Sequence, residues 1–196
     1  CVLWIEHPPV NAIDYDIRSG LVEGVMQLSQ DDSLTAGIII GRGKTFPSGS
    51  DVREFGLPIR PPLVPAVAWA LESCDKPLIA AIHGQALGGG FELALACHYR
   101  IASASARVGL PEVTLGIIPG AGGTQRLPRL VGLASALDII TSGRSVTADR
   151  ALSLGMVDRL SEQDLLQDAL MFAAAVAVKD VRQRRLSSRP MPKPND

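Results

Sequence analysis

The sequence is poor in the residues that build metal and redox sites. It holds three cysteines in 196 residues, Cys1, Cys74 and Cys97, widely spaced and with no Cys-x-x-Cys pair. A structural zinc site is therefore not expected, and no metal ligand is assigned. An odd count without framework spacing suits a reducing compartment, and the cytoplasm is the expected location. His7, His83 and His98 show no metal spacing, and His83 before Gly84 reads as a structural histidine. No Gly-x-Gly-x-x-Gly occurs, so nicotinamide binding by this chain has no support. Gly41-Arg42-Gly43-Lys44-Thr45 ends like a phosphate loop, but that motif needs glycine where Ile38 stands. Ser48-Gly49-Ser50 lacks the flanking glycines of a nucleophile elbow.

Charge of one sign is also missing. Lys and Arg number 19 against 20 Asp and Glu, a net charge of -1. That balance gives no broad electrostatic case for nucleic acid or an anionic membrane surface. No apolar run is long enough to cross a bilayer, the longest candidates being 78–82 and 91–97. No signal peptide is visible. The chain opens Cys1-Val2-Leu3-Trp4-Ile5, already strand-like and without an initiator Met, so further residues are expected before it. What is present is ordinary for a globular protein, with 46% hydrophobic and 20% charged residues. The length fits one domain with a sizeable core.

Periodicity places strands at 2–6, 37–40, 78–82, 99–102, 107–109 and 156–160. Helical spacing covers 14–30, 64–73, 91–97, 125–131, 134–141, 148–154 and 164–178. Two glycine-rich turns, 84–90 and 116–123, interrupt the pattern, and 41–56 reads as loop. Strands alternating with helices predict an α/β fold with largely parallel pairing. The apolar strands at 37–40 and 78–82 are of the kind buried on both faces. The domain is expected to span 1–178. The basic, proline-rich stretch 179–196 reads as a linker or tail.

Two glutamates carry the chemistry. Glu92 is the only ionisable side chain apart from a thiol between Gly84 and Cys97, and it sits among Phe91, Leu93, Ala94 and Leu95. A charge there is costly unless something uses it, and burial should raise its pKa toward the range useful for acid/base work. The plain alternative is a first-turn glutamate favoured by the helix dipole. Glu112 follows Pro111 in another apolar stretch, and its plain alternative is likewise a helix-start residue. Two carboxylates together can deliver one proton while the other activates water. Gly88-Gly89-Gly90 precedes a helix, where missing side chains and N–H groups offer an oxyanion hole, or merely a tight turn.

Taken together, three segments carry a resemblance. These are Phe46-Pro47-Ser48-Gly49-Ser50-Asp51, the run from His83 to Glu92 through Gly88-Gly89-Gly90, and Pro111-Glu112 onward through Ile118-Pro119-Gly120-Ala121-Gly122-Gly123-Thr124-Gln125-Arg126-Leu127. With Pro8-Pro9-Val10-Asn11-Ala12, their order and spacing resemble the crotonase, or enoyl-CoA hydratase/isomerase, superfamily from residue 2 to about 160 and on toward 178. The resemblance implies a spiral of ββα units. It places oxyanion N–H groups on Ser50 and Gly89 and catalytic glutamates on Glu92 and Glu112. It places substrate contacts on Ser48, Gly49, Asp51, Gly88, Pro111, Gly116 and Gly120. Both glutamates together favour hydration of a trans-2-enoyl-CoA thioester, with coenzyme A carried by the substrate and no separate cofactor. An enoyl-CoA isomerase, or a domain retained mainly for assembly, are the alternatives. Two departures stand out: Ser50 replaces a frequent alanine, and Pro47-Ser48 is unusual on the adenine side. The resemblance also implies trimers or stacked trimers. The tail resembles the segment that follows the hydratase core in multifunctional fatty-acid oxidation enzymes, where a 3-hydroxyacyl-CoA dehydrogenase lies downstream.

Overall fold

In the computed structural model, which describes residues 1–58 and 60–193, the chain alternates strand and helix almost throughout. The order is β1 (Val2–Ile5), α1 (Tyr15–Gln30), β2 (Gly37–Gly41), α2 (Val64–Ser73), β3 (Leu78–Ile82), β4 (Gln85–Leu87), α3 (Gly89–Ala96) and β5 (Tyr99–Ser103). It continues with β6 (Arg107–Gly109), α4 (Gly123–Val131), α5 (Leu133–Ser142), β7 (Val146–Thr147), α6 (Ala148–Ser153), β8 (Arg159–Ser161) and α7 (Leu165–Val176). Helices begin where the sequence supplies caps. Asp14, Thr147 and Asp164 accept hydrogen bonds from Ile17, Arg150 and Gln167 N–H, which satisfies donors that the first helical turn leaves unpaired.

A five-stranded sheet has the order β1-β2-β3-β5-β8, every pair parallel. The run of Ile38, Ile39 and Ile40 in β2 shows why it is central. Ile38 and Ile40 join Ile79, Ala81 and Ile101 against Ala169, Ala173 and Val176 of α7. Ile39 joins Leu78, Ala80 and Ile82 in the larger core on the other face. Period-two alternation thus feeds two cores, and a strand buried on both faces must be apolar throughout. A second sheet, β4-β6-β7, is small: β4 and β6 are parallel, and β6 and β7 antiparallel.

The two sheets alternate along the chain. β3 in the first is followed by β4 in the second and then α3; β5 is followed by β6 and then α4. These are the expected ββα units. Each leaves its second strand through the turn that carries one of the two glutamates.

Two features differ from the sequence reading. β4 and β7 were hidden, β4 inside the glycine-rich bend and β7 by its length of two residues. The stretch from 179 does not leave the domain as a spacer. It forms two 3-10 turns, Arg182–Arg184 and Leu186–Ser188, and buries Leu186 at 1% exposure in the main core. Its basic residues find partners on the domain. Arg184 stacks on Tyr99 and pairs with Asp158, Arg185 donates to Ser73 O and Asp75, and Arg129 donates to Arg189 O. The leucine and arginines hold the chain down. Residues 194–196 of that stretch lie outside the described residues.

Candidate active site

The first half of the site comes from a bracket near the N-terminus. Asn11, with φ of 55°, donates to Arg42 O and Thr45 O and so ties the end of β1 to the loop after β2. Beside it, Ile13 N donates to Gly49 O at 2.9 Å, and Asp51 N donates to Ile13 O at 3.1 Å. Residues 49 and 51 spend their groups on Ile13, so the N–H of Ser50 faces the opposite side, as alternation in an extended segment requires. Asp51 caps the turn that follows and pairs with Arg53, which holds its carboxyl down at about 2.

The other half is the start of α3. Gly88 has φ 51° and ψ -130°, a region open to glycine but not to larger residues. Gly89 opens the helix, where N–H groups have no carbonyl behind them. A Cβ on Gly89 would lie 2.9 Å from Ser50 Oγ and 3.6 Å from Ser50 N, so the start of α3 lies beside Ser50. Among the described residues neither the N–H of Ser50 nor that of Gly89 has an acceptor. A Cβ on Gly90 would lie 1.9 Å from Pro47 O, so α3 seats against the loop only as glycine.

Glu92 lies in the first turn of α3, 3% exposed. Its Oε1 accepts from Ala121 N and Gly123 N, both at 2.7 Å. Burial pushes its pKa above the ordinary value, while those two N–H groups and the charge of Arg126 oppose the shift. Glu112 opens a 3-10 turn after Pro111 and is 8% exposed. Its Oε2 has no hydrogen-bond partner among the described residues. Burial, reinforced by the Glu92 charge, raises its pKa to about 7. Burial therefore raises both carboxyls, but at Glu92 two N–H donors oppose the rise, while Glu112 Oε2 has no partner among the described residues.

Ser50, Gly89, Glu92 and Glu112 line one cavity of about 520 Å³, as do Ser48, Gly49, Asp51, Gly88, Pro111 and Gly120. Gly116 does not. It ends the 3-10 turn in the left-handed region with φ of 73°, which explains the glycine without a ligand. His83 is also outside the cavity and contacts Gly43 O. The cavity wall is completed by residues that the sequence reading passed over: Phe55, Leu57, Leu63, Leu115, Ile117 and Ile118. Arg18 and Glu54 also line the cavity and pair with each other, and Arg18 donates to Pro62 O.

The chain as a whole has relatives among known proteins. The profile of the family described as Enoyl-CoA hydratase/isomerase matches residues 1–187. The chain belongs to that family. The peroxisomal bifunctional enzyme of Danio rerio is 51% identical over 194 residues, 98% of this chain but 27% of that protein. The probable enoyl-CoA hydratase of Bacillus subtilis (strain 168) is 43% identical over 187 residues, 91% of this chain and 72% of that protein. The crystal structure of an enoyl-CoA hydratase from Bacillus anthracis matches with a TM-score of 0.82 at 36% identity, over 90% of this chain and 72% of that one.

The chain thus spans about a quarter of the length of the bifunctional relatives. Within the family frame, Ala121 and Gly123 are the site residues that sequence reasoning missed. Their signal was present, since both stand in the glycine-rich turn that opens α4, where unpaired N–H groups are available. Among the described residues no helix is long and apolar enough to cross a membrane, and no cluster of three or more His, Cys, Asp or Glu is gathered as for a metal.

Proposed function

We propose that the chain hydrates trans-2-enoyl-CoA thioesters to 3-hydroxyacyl-CoA. The observation that carries this reading is the pairing in one cavity of two buried glutamates, one held by two N–H donors and one with an unpaired oxygen, with the neighbouring backbone N–H groups of Ser50 and Gly89. The thioester oxygen accepts from Ser50 N and Gly89 N, and the negative charge that develops there is stabilised. Glu92, as carboxylate, takes a proton from water while the water oxygen bonds to the β-carbon. The double-bond electrons move toward the thioester oxygen as an enolate. Glu112, as the neutral acid, gives its proton to the α-carbon. The net change is addition of H and OH, after which a proton must pass from Glu92 back to Glu112 through solvent. Coenzyme A enters as part of the substrate, and no step needs another cofactor. The apolar wall from Phe55 to Ile118 suits an acyl chain.

Product analysis with 2-enoyl and 3-enoyl thioesters tests this reading. Hydration of the first is expected, and conversion of only the second would make the chain an isomerase instead. Absence of turnover with both would leave only a role in assembly.

The bifunctional relatives support a wider proposal. This chain is the hydratase portion of a longer protein whose downstream part, a 3-hydroxyacyl-CoA dehydrogenase, oxidises the hydroxyl that hydration creates. The peroxisomal names of those relatives favour that compartment over the cytoplasm expected from the cysteines. Self-association into trimers or hexamers is proposed as well. Leu115 and Ile118, 67% and 74% exposed on the cavity wall, leave apolar surface for a second copy to cover. Light scattering that shows monomer at every concentration would refute it.

A further inference from the structure

Glu72 and Arg126 form a buried ion pair that the mechanism above does not use. Glu72 lies in the last turn of α2 and Arg126 in the first turn of α4; their side chains are 3% and 7% exposed. Arg126 Nη2 donates to Glu72 Oε2 at 2.8 Å. Its other arm, Nη1, donates to Ala121 O at 2.8 Å. Ala121 is the residue whose N–H holds Glu92. The approach is so close that a Cβ on Gly122 would fall 2.2 Å from Nη1, and Gly122 itself has φ of 101°. The loop is therefore shaped around the guanidinium.

The pair is anchored from a third direction. Glu72 Oε1 accepts from Ser187 N at 2.9 Å, in the segment that packs back after 179. Burial pushes the Glu72 carboxyl up, but Arg126 and Ser187 together outweigh it and hold it below the ordinary range. A pair needed only for packing would be replaceable by apolar side chains at little cost. A planar fork that spends one arm on an anchored carboxylate and the other on the Glu92 loop does something an apolar pair would not.

We propose that Glu72 and Arg126 are positioning residues for Glu92, setting the loop whose N–H groups orient its carboxylate, and that the backbone of Ser187 latches the pair from the C-terminal segment. The proposal rests on the hydration reading for its kinetic part only. The charged groups that act on Glu92 are Arg126, which favours its anion, and Glu112, with which it interacts.

The test uses the full chain and the variants Arg126→Met, Glu72→Gln and Ser187→Pro. The Glu92 carboxyl is followed by carbon-13 NMR, with its resonance assigned through Glu92→Gln. Arg126→Met removes a positive charge and should move the Glu92 midpoint to higher pH. Glu72→Gln leaves that charge uncompensated and should move it to lower pH. The displacements report electrical coupling of the pair to Glu92, and it is the loss of kcat at near-constant KM that reports positioning. In both variants kcat should fall on the order of a hundredfold at near-constant KM, the cost of a misplaced catalytic group. Ser187→Pro deletes one N–H donor and should lower kcat roughly threefold or more. If Arg126→Met does not fold, Glu72→Gln still gives the midpoint displacement to lower pH, and it and Ser187→Pro still give the loss of kcat. Folded variants with an unmoved midpoint and kcat within about twofold of the parent would overturn the proposal. If the parent hydrates nothing, the hydratase reading fails, while the displaced midpoints still report the pair.

Discussion

Replacing Glu112 with Gln should make the protein more stable and less active at once, with the stability gain present only at higher pH. Glutamine copies the shape of the neutral acid. In the folded chain the Glu112 carboxyl titrates at about 7 instead of 4.5, because burial disfavours its anion. Below the unfolded value both states are protonated, and Glu112 costs nothing. As pH rises, the unfolded chain releases its proton first, so the native state holds more protons and stability declines until the folded carboxyl also ionises near 7. Above that point the whole cost is present. The difference between the two values sets a ceiling of about 3 kcal/mol, and water reaching the cavity brings the expected figure to about 1–2 kcal/mol. Urea unfolding of parent and Glu112→Gln across this range measures it: the curves should meet at about pH 4, draw apart as pH rises toward 7, and keep a constant separation above about pH 7. The same variant should lose hydration by about a hundredfold or more, the usual worth of a general acid. A stability difference that stays constant with pH would refute the burial argument. Near-normal turnover would refute the assignment of the proton donor.

The same two carboxyls shape the activity profile. Hydration that needs Glu92 ionised and Glu112 protonated should show kcat/KM falling above about pH 7, and an unbroken rise beyond it would reverse the roles. Gly90→Ala should be severely destabilising or unable to fold, since its Cβ would sit 1.9 Å from Pro47 O. Gly20→Ala, with nothing within 4 Å on an exposed turn of α1, should instead gain about 0.5–1 kcal/mol, and thermal melts of the pair separate steric from propensity effects. Leu186→Ala should cost about 2–4 kcal/mol in chemical unfolding; a change near zero would mean that the segment after 179 is not part of the core.

Much of the fold was legible because strand and helix periods are imposed by burial. The isoleucines of β2 and the apolar run of β3 announce strands covered on both faces, and Asp14 and Asp164 announce helix starts. β4 was not legible. It is three residues long and lies between the left-handed Gly84 and Gly88, and pairing with β6, twenty-odd residues on, makes it a strand. At the site, Glu92 and Glu112 were legible as charges in apolar surroundings. Ser50 was legible only through resemblance, because its role rests on the direction of a backbone N–H that Ile13 sets from far away in sequence. The apolar wall from Phe55 to Ile118 carries no periodic signal, since those residues sit on irregular segments that meet only in space. The tail was misread for a related reason. Composition marks prolines and arginines as solvated, but composition does not show that Arg184 and Arg185 face Asp158, Asp75 and free carbonyls.

The two glutamates illustrate how one residue type can be given two different environments in one cavity. Both are buried, and burial alone raises both. What separates them is the backbone around each. Glu92 stands at the N-terminus of α3 and faces the N-terminus of α4, so two amide groups meet its Oε1. Glu112 stands at a 3-10 turn with one oxygen unpaired, and it has no comparable donor to hold its anion. The difference follows from the ββα repeat. Each unit ends in a helix whose first turn has unspent N–H groups. The first unit leaves the N–H of Gly89 facing the cavity wall without an acceptor among the described residues, and the second spends its N–H groups on the glutamate of the first. Donors at one carboxyl oppose the rise that burial imposes, and their absence at its neighbour leaves that rise unopposed on one oxygen, so backbone geometry alone makes the two environments differ.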